Sequence, residues 1–300
     1  MSTVVAARTR AGSASLLLAG VLWGTGGIAG SILSTQANLH PLSVAAYRLL
    51  LGGVFTVLAL GLAGRLRGLP RTPEAVRRLV TAGALLALFQ ACYFVSVELT
   101  SVSVATMTTI GSVPVFVAVA TAVLERRRPH PATALSIAGA LAGLALLTWS
   151  PEGTGDRWRF LAGLGVALTA GAGFATLTMV TRKPVAGLDP LRTTAFGCLI
   201  GGLALLPVAV WLGAAAPMRP DVVAVAVYLG AVPTALAYAA YFRGLRAAQP
   251  VLAALSTLLE PLTAAVLSVL LLGDRLGVVG WCGGALLLAA IGVGYLRPQR

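Results

Sequence analysis

Charged residues are scarce in this chain: Asp, Glu, Lys and Arg fill 10% of its 300 positions, while apolar residues fill 58%. A water-soluble domain of this length carries charge on about a quarter of its residues, so a soluble body is excluded. Acids number nine, histidines two and cysteines three. Cys92, Cys198 and Cys282 stand far apart in separate apolar stretches, without the paired spacing of a metal or redox site. His40 and His130 lie in links with no partner at ligand spacing. Clustered acids, imidazoles or metal ligands, from which an intramembrane hydrolytic centre would be built, are missing. The chain is therefore not expected to be an enzyme, and no metal or cofactor is expected. A Gly-Lys-Ser/Thr phosphate loop is absent as well, which leaves no site for ATP to drive a cycle directly.

What the chain does have is long apolar runs. A bilayer crossing takes about 20 apolar residues, and apolar runs of about that size, nearly free of charge, occur at 13–33, 42–63, 79–98, 103–124, 132–149, 160–180, 191–213, 222–242, 251–272 and 277–296. Prolines punctuate the gaps, among them Pro41, Pro70, Pro129, Pro151, Pro190 and Pro220, as expected of residues that break or start helices. The expected fold class is all-α: a polytopic membrane protein with ten transmembrane helices and no link long enough to fold alone.

The formal net charge of +13 would in a soluble protein raise the question of nucleic acid. Its placement answers otherwise. With the amino terminus inside, Arg65, Arg67, Arg71, Arg77, Arg78, Arg126–Arg128, Arg182, Lys183 and Arg192 all fall in links on one side, and only Arg157, Arg159, Arg219 and Arg275 fall on the other. That bias is the positive-inside signature. It predicts both termini in the cytoplasm, a bacterial-type inner membrane as location, the lipid bilayer as the standing partner, and no nucleic acid.

The chain also matches itself. At an offset of 149, HPLSVAAYRLLLGG from His40 aligns with DPLRTTAFGCLIGG from Asp189, and at 148 Tyr93-Phe94 aligns with Tyr241-Phe242. The reading is two related five-helix halves, 13–149 and 160–296. An odd number of spans per half inverts the second relative to the first, and inverted repeats are the common construction of secondary transporters.

These residues resemble the ten-helix EamA-domain transporters of the drug/metabolite transporter superfamily. The resemblance covers nearly the whole chain: Leu22-Trp23-Gly24 in the first span, then Tyr93, Pro114, Glu125 and Gly139 in one half, and Tyr241, Glu260-Pro261, Leu272-Gly273-Asp274-Arg275 and Gly284 in the other. The first half departs from the pattern with Val113 before its proline and no Leu-Gly before its acid. The resemblance implies transport of a small molecule, from amino-acid export to drug efflux or metabolite uptake.

Candidate substrate-binding residues follow from the cost of polar groups in a bilayer. A carboxylate or guanidinium at mid-depth costs about 2.5–3.5 kcal/mol on insertion scales and marks function by default. Glu260 lies near the middle of the ninth span, followed by Pro261, whose missing N–H frees a carbonyl; it is a candidate proton site or amine contact. Arg48 lies within the second span and could meet a substrate carboxylate, or pair with Glu98 or Glu260. Gln90 sits mid-span in the third, and Thr106, Thr108 and Thr109 could share a polar cavity with it. Trp23, Tyr93, Tyr238 and Tyr241 offer aromatic surface for an apolar or cationic group, and interfacial anchoring is the alternative for each. The spacings Gly20-x-x-x-Gly24 and Gly26-x-x-x-Gly30 of the first span permit close helix approach, and these glycines are expected rather to leave room for motion or ligand. The functional expectation is a secondary transporter exporting amino acids or related small metabolites, with protons as candidate co-substrate. A passive facilitator, an uptake carrier and multidrug or cation efflux are the alternatives, an enzyme acting on lipid-linked substrates a remote one; monomer and homodimer both stay open.

Overall fold

The computed structural model describes residues 2–126, 157–181, 183–245, 256–257, 259–275 and 277–296, with isolated positions between 135 and 146. Its helices are α1 (Ser2–Ala37), α2 (Pro41–Leu62), α3 (Pro73–Leu99), α4 (Val102–Glu125), α5 (Arg157–Thr181), α6 (Pro190–Trp211), α7 (Pro220–Gly230), α8 (Ala237–Leu245), α9 (Leu259–Leu267) and α10 (Val278–Leu296). A π-helical turn, Ala231–Leu236, joins α7 to α8, and a second, Ser268–Leu272, ends α9. Seven helices among the described residues are long and apolar enough to cross a membrane, and Leu259–Leu272 is a shorter apolar one. The span expected at 132–149 lies largely outside the described residues. The architecture is all-α and polytopic, as the apolar runs require.

Local chemistry sets the helix ends. Proline occupies the first turn of α2, α3, α6 and α7, where its missing N–H removes no intrahelical bond. The preceding residue caps three of these: His40 Nδ1 accepts from Leu42 N, Thr72 Oγ1 from Ala75 N and Asp189 Oδ1 from Arg192 N. His40 thus has a structural task, satisfying one of the amides a helix start leaves open. The first helix begins at Ser2, earlier than the expected 13, so Arg8 and Arg10 lie on a helix that extends beyond the apolar run. Within the spans, hydroxyls turn back on their own helix: Thr56 Oγ1 donates to Gly52 O at 2.6 Å and Thr121 Oγ1 to Val117 O at 2.7 Å, which satisfies them without water.

Packing organises around α1 and the α2–α6 pair. α1 touches α8 and α9, α3 lies against α5 and α6, and α4 against α5 and α9. α2 and α6 run antiparallel, because Ser43 near the start of α2 reaches Ala209 near the end of α6 while Arg65, just past α2, reaches Asp189 at the start of α6. Both helices have 22 residues, and α6 starts and stops 149 residues after α2. Their crossing is reciprocal: a Cβ on Gly53 would meet Leu199 N at 2.8 Å, and one on Gly202 would meet Leu50 N at 2.8 Å. Glycine at both places lets the two backbones approach, which in lipid supplies the dispersion contact that holds helices together.

Candidate functional site

α1 is the axis on which the nominated residues converge. Its glycines carry no side chain where neighbours press in: a Cβ on Gly26 would meet the Arg48 guanidinium of α2 at 2.8 Å, and one on Gly27 or Gly30 would overlap Tyr93 Oη or the Phe94 ring of α3. A Cβ on Gly24 would meet the Glu260 carbonyl of α9 at 2.7 Å, and Gly20 is similarly closed by Ser256. These glycines are filled by protein, contrary to the expectation of free room. What they do is let polar and aromatic groups of three helices press against α1.

On the same axis the Trp23 ring centroid lies 5.4 Å from that of Tyr238 and 4.9 Å from that of Tyr241 on α8. Phe242 stacks on Tyr238 at 6.2 Å. Toward the other end, Tyr93 Oη and Thr106 Oγ1 of α4 share a 2.8 Å hydrogen bond, and the Arg48 guanidinium carbon sits 5.8 Å from the Phe94 ring centroid. Arg48 is also within electrostatic range of Glu260, Tyr93 and Tyr238. Trp23, Arg48, Tyr93, Tyr238, Tyr241 and Glu260 therefore form one cluster contributed by α1, α2, α3, α8 and α9, with Gln90 one helical turn from Tyr93 on α3.

The levels differ along the membrane normal. At 1.5 Å per residue, Arg48 is about 10 Å from the start of α2. Glu260 is about 18 Å, and Trp23 about 21 Å, from the helix ends on that same face. The Arg48 backbone thus lies nearer one membrane face, while its guanidinium, against Gly26, reaches about 16 Å from that face, near the level of the Glu260 backbone, with Trp23 beyond.

Neither charge is neutralised by direct contact with a described residue. Arg48 is 6% exposed, its Nε has no partner, and no ion pair or hydrogen bond joins it to a described residue; the expected pairing with Glu98 or Glu260 is not made. The half-buried Glu260 carboxylate likewise has no ion pair among the described residues. Two further buried atoms lack partners here, Trp23 Nε1 and Gln90 Oε1. Thr106 and Thr109 are spoken for, Thr109 Oγ1 donating to Ala167 O at 3.2 Å, whereas Thr108 Oγ1 is unpartnered.

A cavity of about 240 Å³ is lined by Gly30, Ser31, Ser34, Thr35, Pro41, Val44, Phe94, Val97 and Glu98, toward the ends of α1 and α3 and the start of α2. Phe94 belongs to both places, lining the cavity and lying beside Arg48. Glu98, expected as an interfacial residue, is exposed at the cavity's edge.

The opposite, basic face is cross-linked by contacts of residues that the sequence marks only as orientation signals. Arg65 pairs with Asp189 at 2.6 Å, Arg192 donates to Gly187 O at 2.7 Å and to Arg65 O at 2.5 Å, and Arg78 donates to Lys183 O at 2.9 Å. The other end of the α2–α6 pair has, among the described residues, neutral bonds, Tyr47 Oη to Ala214 O at 2.8 Å and Ser43 Oγ to Ala209 O at 3.5 Å. Beside them lies an apolar cavity of about 390 Å³ lined by Ala46, Leu50, Leu206 and Val210 among others. The alignment of His40–Gly53 with Asp189–Gly202 contained the signal for this contrast, since Ser43 and Arg192 occupy equivalent positions.

A helical membrane bundle with a polar, partly charged cluster inside it has the build of a transporter. The comparisons agree on the class, and the chain belongs to the EamA-like transporter family, whose model matches residues 10–149 and again 161–295. It is 29% identical over 285 residues to the uncharacterized transporter YwfM of Bacillus subtilis, spanning 95% of this chain and 94% of that one. It is 27% identical over 288 residues to the uncharacterized inner membrane transporter YicL of Salmonella typhimurium, with 94% of each chain covered. One crystal structure, 21% identical, superposes over 97% of both chains with a TM-score of 0.66, a likeness of fold. The chain is a multi-pass membrane transporter and not an enzyme.

Proposed function

We propose that this transporter is a secondary exporter of amino acids or related small metabolites, coupled to protons through Glu260. The observation that carries the reading is the Glu260 carboxylate, at about mid-depth and without an ion pair among the described residues, beside the cluster of Trp23, Tyr238 and Tyr241. An intramembrane carboxylate of this kind is costly unless it is protonated or meets a cation. Alternating exposure of such a group makes proton and substrate compete for one site, which is what coupling requires. Pro261 adds a helix position without an N–H immediately after it.

The basic face is taken as cytoplasmic, on the strength of Arg65, Arg67, Arg71, Arg77, Arg78 and Lys183 lying there, so that both termini face the cytoplasm of a bacterial-type inner membrane. The halves 13–149 and 160–296 are taken as inverted repeats; the 149-residue displacement of α6 from α2 and the reciprocal Gly53–Leu199 and Gly202–Leu50 contacts support this. Rocking one half against the other would then expose the site to alternate faces.

The test compares metabolites in cells and medium by mass spectrometry for wild type, Glu260→Gln and cells without the protein. One small metabolite leaving faster with wild type alone is the expected result. Efflux by Glu260→Gln at the wild-type rate would turn the reading to a passive facilitator. A metabolite accumulating inside only with wild type would reverse the direction to uptake.

A further inference from the structure

We propose that the Arg48 end of the cluster is an anion subsite, so that a substrate of this transporter carries a carboxylate or another anionic oxygen group, and a molecule bearing only a positive charge is not a substrate. The inference rests on the transport reading and adds to it the chemical class that the site selects.

Arg48 is nine-tenths buried, with an unpartnered Nε and with no ion pair to a described residue. Its planar guanidinium lies against Gly26 on one side and within 5.8 Å of the Phe94 ring centroid. Arginine donates in a fixed fork that matches two oxygens at once, and it stays charged. A buried cation left without an anion is unfavourable, and the ligand is the group that supplies one when it binds.

Two neighbours extend the pattern. Trp23 is one helical turn from Gly26 on the same face of α1 and brings an unpartnered indole N–H, which only donates. Gln90, 3% exposed and one turn from Phe94 on α3, brings an unpartnered Oε1, which only accepts. Arg48 and Trp23 thus offer donors to anionic oxygens, and Gln90, on the helix that carries Phe94, offers an acceptor to a hydroxyl or amino group. A lone ammonium would meet Glu260 but would leave Arg48 unneutralised and within electrostatic range of the bound charge. Of the transport alternatives, multidrug or cation efflux is the one this arrangement disfavours.

The experiment uses the purified full chain in detergent and reads thermal unfolding with four probes. Leucine, 4-methylpentanoate and isoamylamine share one branched skeleton and carry both charges, the acid only and the amine only; inorganic phosphate is the fourth. Wild type is expected to be stabilised by leucine and the acid but not by the amine, and in Arg48→Met the concentration giving half the shift rises at least tenfold. Without ligand, Arg48→Met is expected to melt no lower than wild type, which also establishes that the variant folds; Arg48→Lys, which keeps the charge without the fork, falls between the two. A response to phosphate alone keeps the anion subsite and identifies a phosphoryl group as the ligand. Stabilisation by the amine equal to that by the acid, an acid response retained in Arg48→Met, or no response of wild type to any anionic probe overturns the proposal. Anion binding that persists while no metabolite is exported would overturn the export reading and leave the subsite standing.

Discussion

The reciprocal α2–α6 crossing makes Gly202→Ala the sharpest test of how this bundle is held together. The new Cβ would lie 2.8 Å from Leu50 N and 2.7 Å from Leu50 Cγ. The first of these is backbone, so no rotamer change relieves it, and α2 must move away from α6. Overpacking of this kind costs about 1–3 kcal/mol. Alanine returns about 0.8–1 kcal/mol of helix propensity over glycine, which leaves a net loss of up to roughly 2 kcal/mol after subtracting. At about 2–4 °C per kcal/mol for a large chain, the unfolding midpoint should fall by a few degrees. Gly165→Ala is the matched control: it lies on α5 with nothing within 4 Å of its Cβ, so only the propensity gain operates and the midpoint should hold or rise. Gly53→Ala should behave like Gly202→Ala, since its Cβ meets Leu199 N at 2.8 Å. The double variant should lose less than the two singles together, because one separation of the helices relieves both clashes. Thermal unfolding followed by tryptophan fluorescence in one detergent reads all four. Equal midpoints for Gly202→Ala and Gly165→Ala would refute the idea that close approach at this crossing contributes stability.

Other substitutions separate roles elsewhere. Asp189→Ala removes the α6 cap and the Arg65 partner together and should cost about 1–3 kcal/mol, most of it from the cap because the ion pair is about a third exposed. Asp189→Asn keeps the cap, and its smaller loss should vanish in high salt; unfolding midpoints at two ionic strengths check both. Tyr93→Phe breaks the 2.8 Å bond to Thr106 and leaves a buried hydroxyl unpaired, a cost of about 1–3 kcal/mol. Tyr93→Phe combined with Thr106→Val should recover part of that loss in the same unfolding assay.

The spans were legible because each is an apolar run, and several are started by a capping residue and a proline, as at His40-Pro41, Thr72-Pro73 and Asp189-Pro190. The break in the eighth span was not. Its residues read as one apolar run from 222 to 242, yet Pro233 cannot donate to the preceding turn, and a π-helical segment at Ala231–Leu236 absorbs the defect. The candidate residues were legible one at a time, as polar or aromatic groups where lipid penalises or merely tolerates them. Their meeting was not, since Trp23 and Tyr241 are 218 positions apart and become neighbours only through the order in which helices pack. Phe94 was missed as a site residue because an apolar ring in an apolar span carries no signal, and its place beside Arg48 depends on Gly30 leaving the ring room. The Arg65–Asp189–Arg192 tie was hidden for another reason: basic residues in links of a membrane protein already have an explanation in topology, which masks any second task.

That tie gives the molecule a sidedness distinct from its orientation. Charge–charge attraction between partly exposed groups weakens as the Debye length shrinks, from about 10 Å at 0.1 M to about 3 Å at 1 M salt, whereas neutral bonds such as Tyr47 to Ala214 respond little. One end of the α2–α6 seam is therefore tuned by the electrolyte that bathes it and the other is indifferent. In a vesicle whose lumen and exterior can be given different ionic strengths, the same concentration of salt would loosen the seam from one compartment and leave it unchanged from the other.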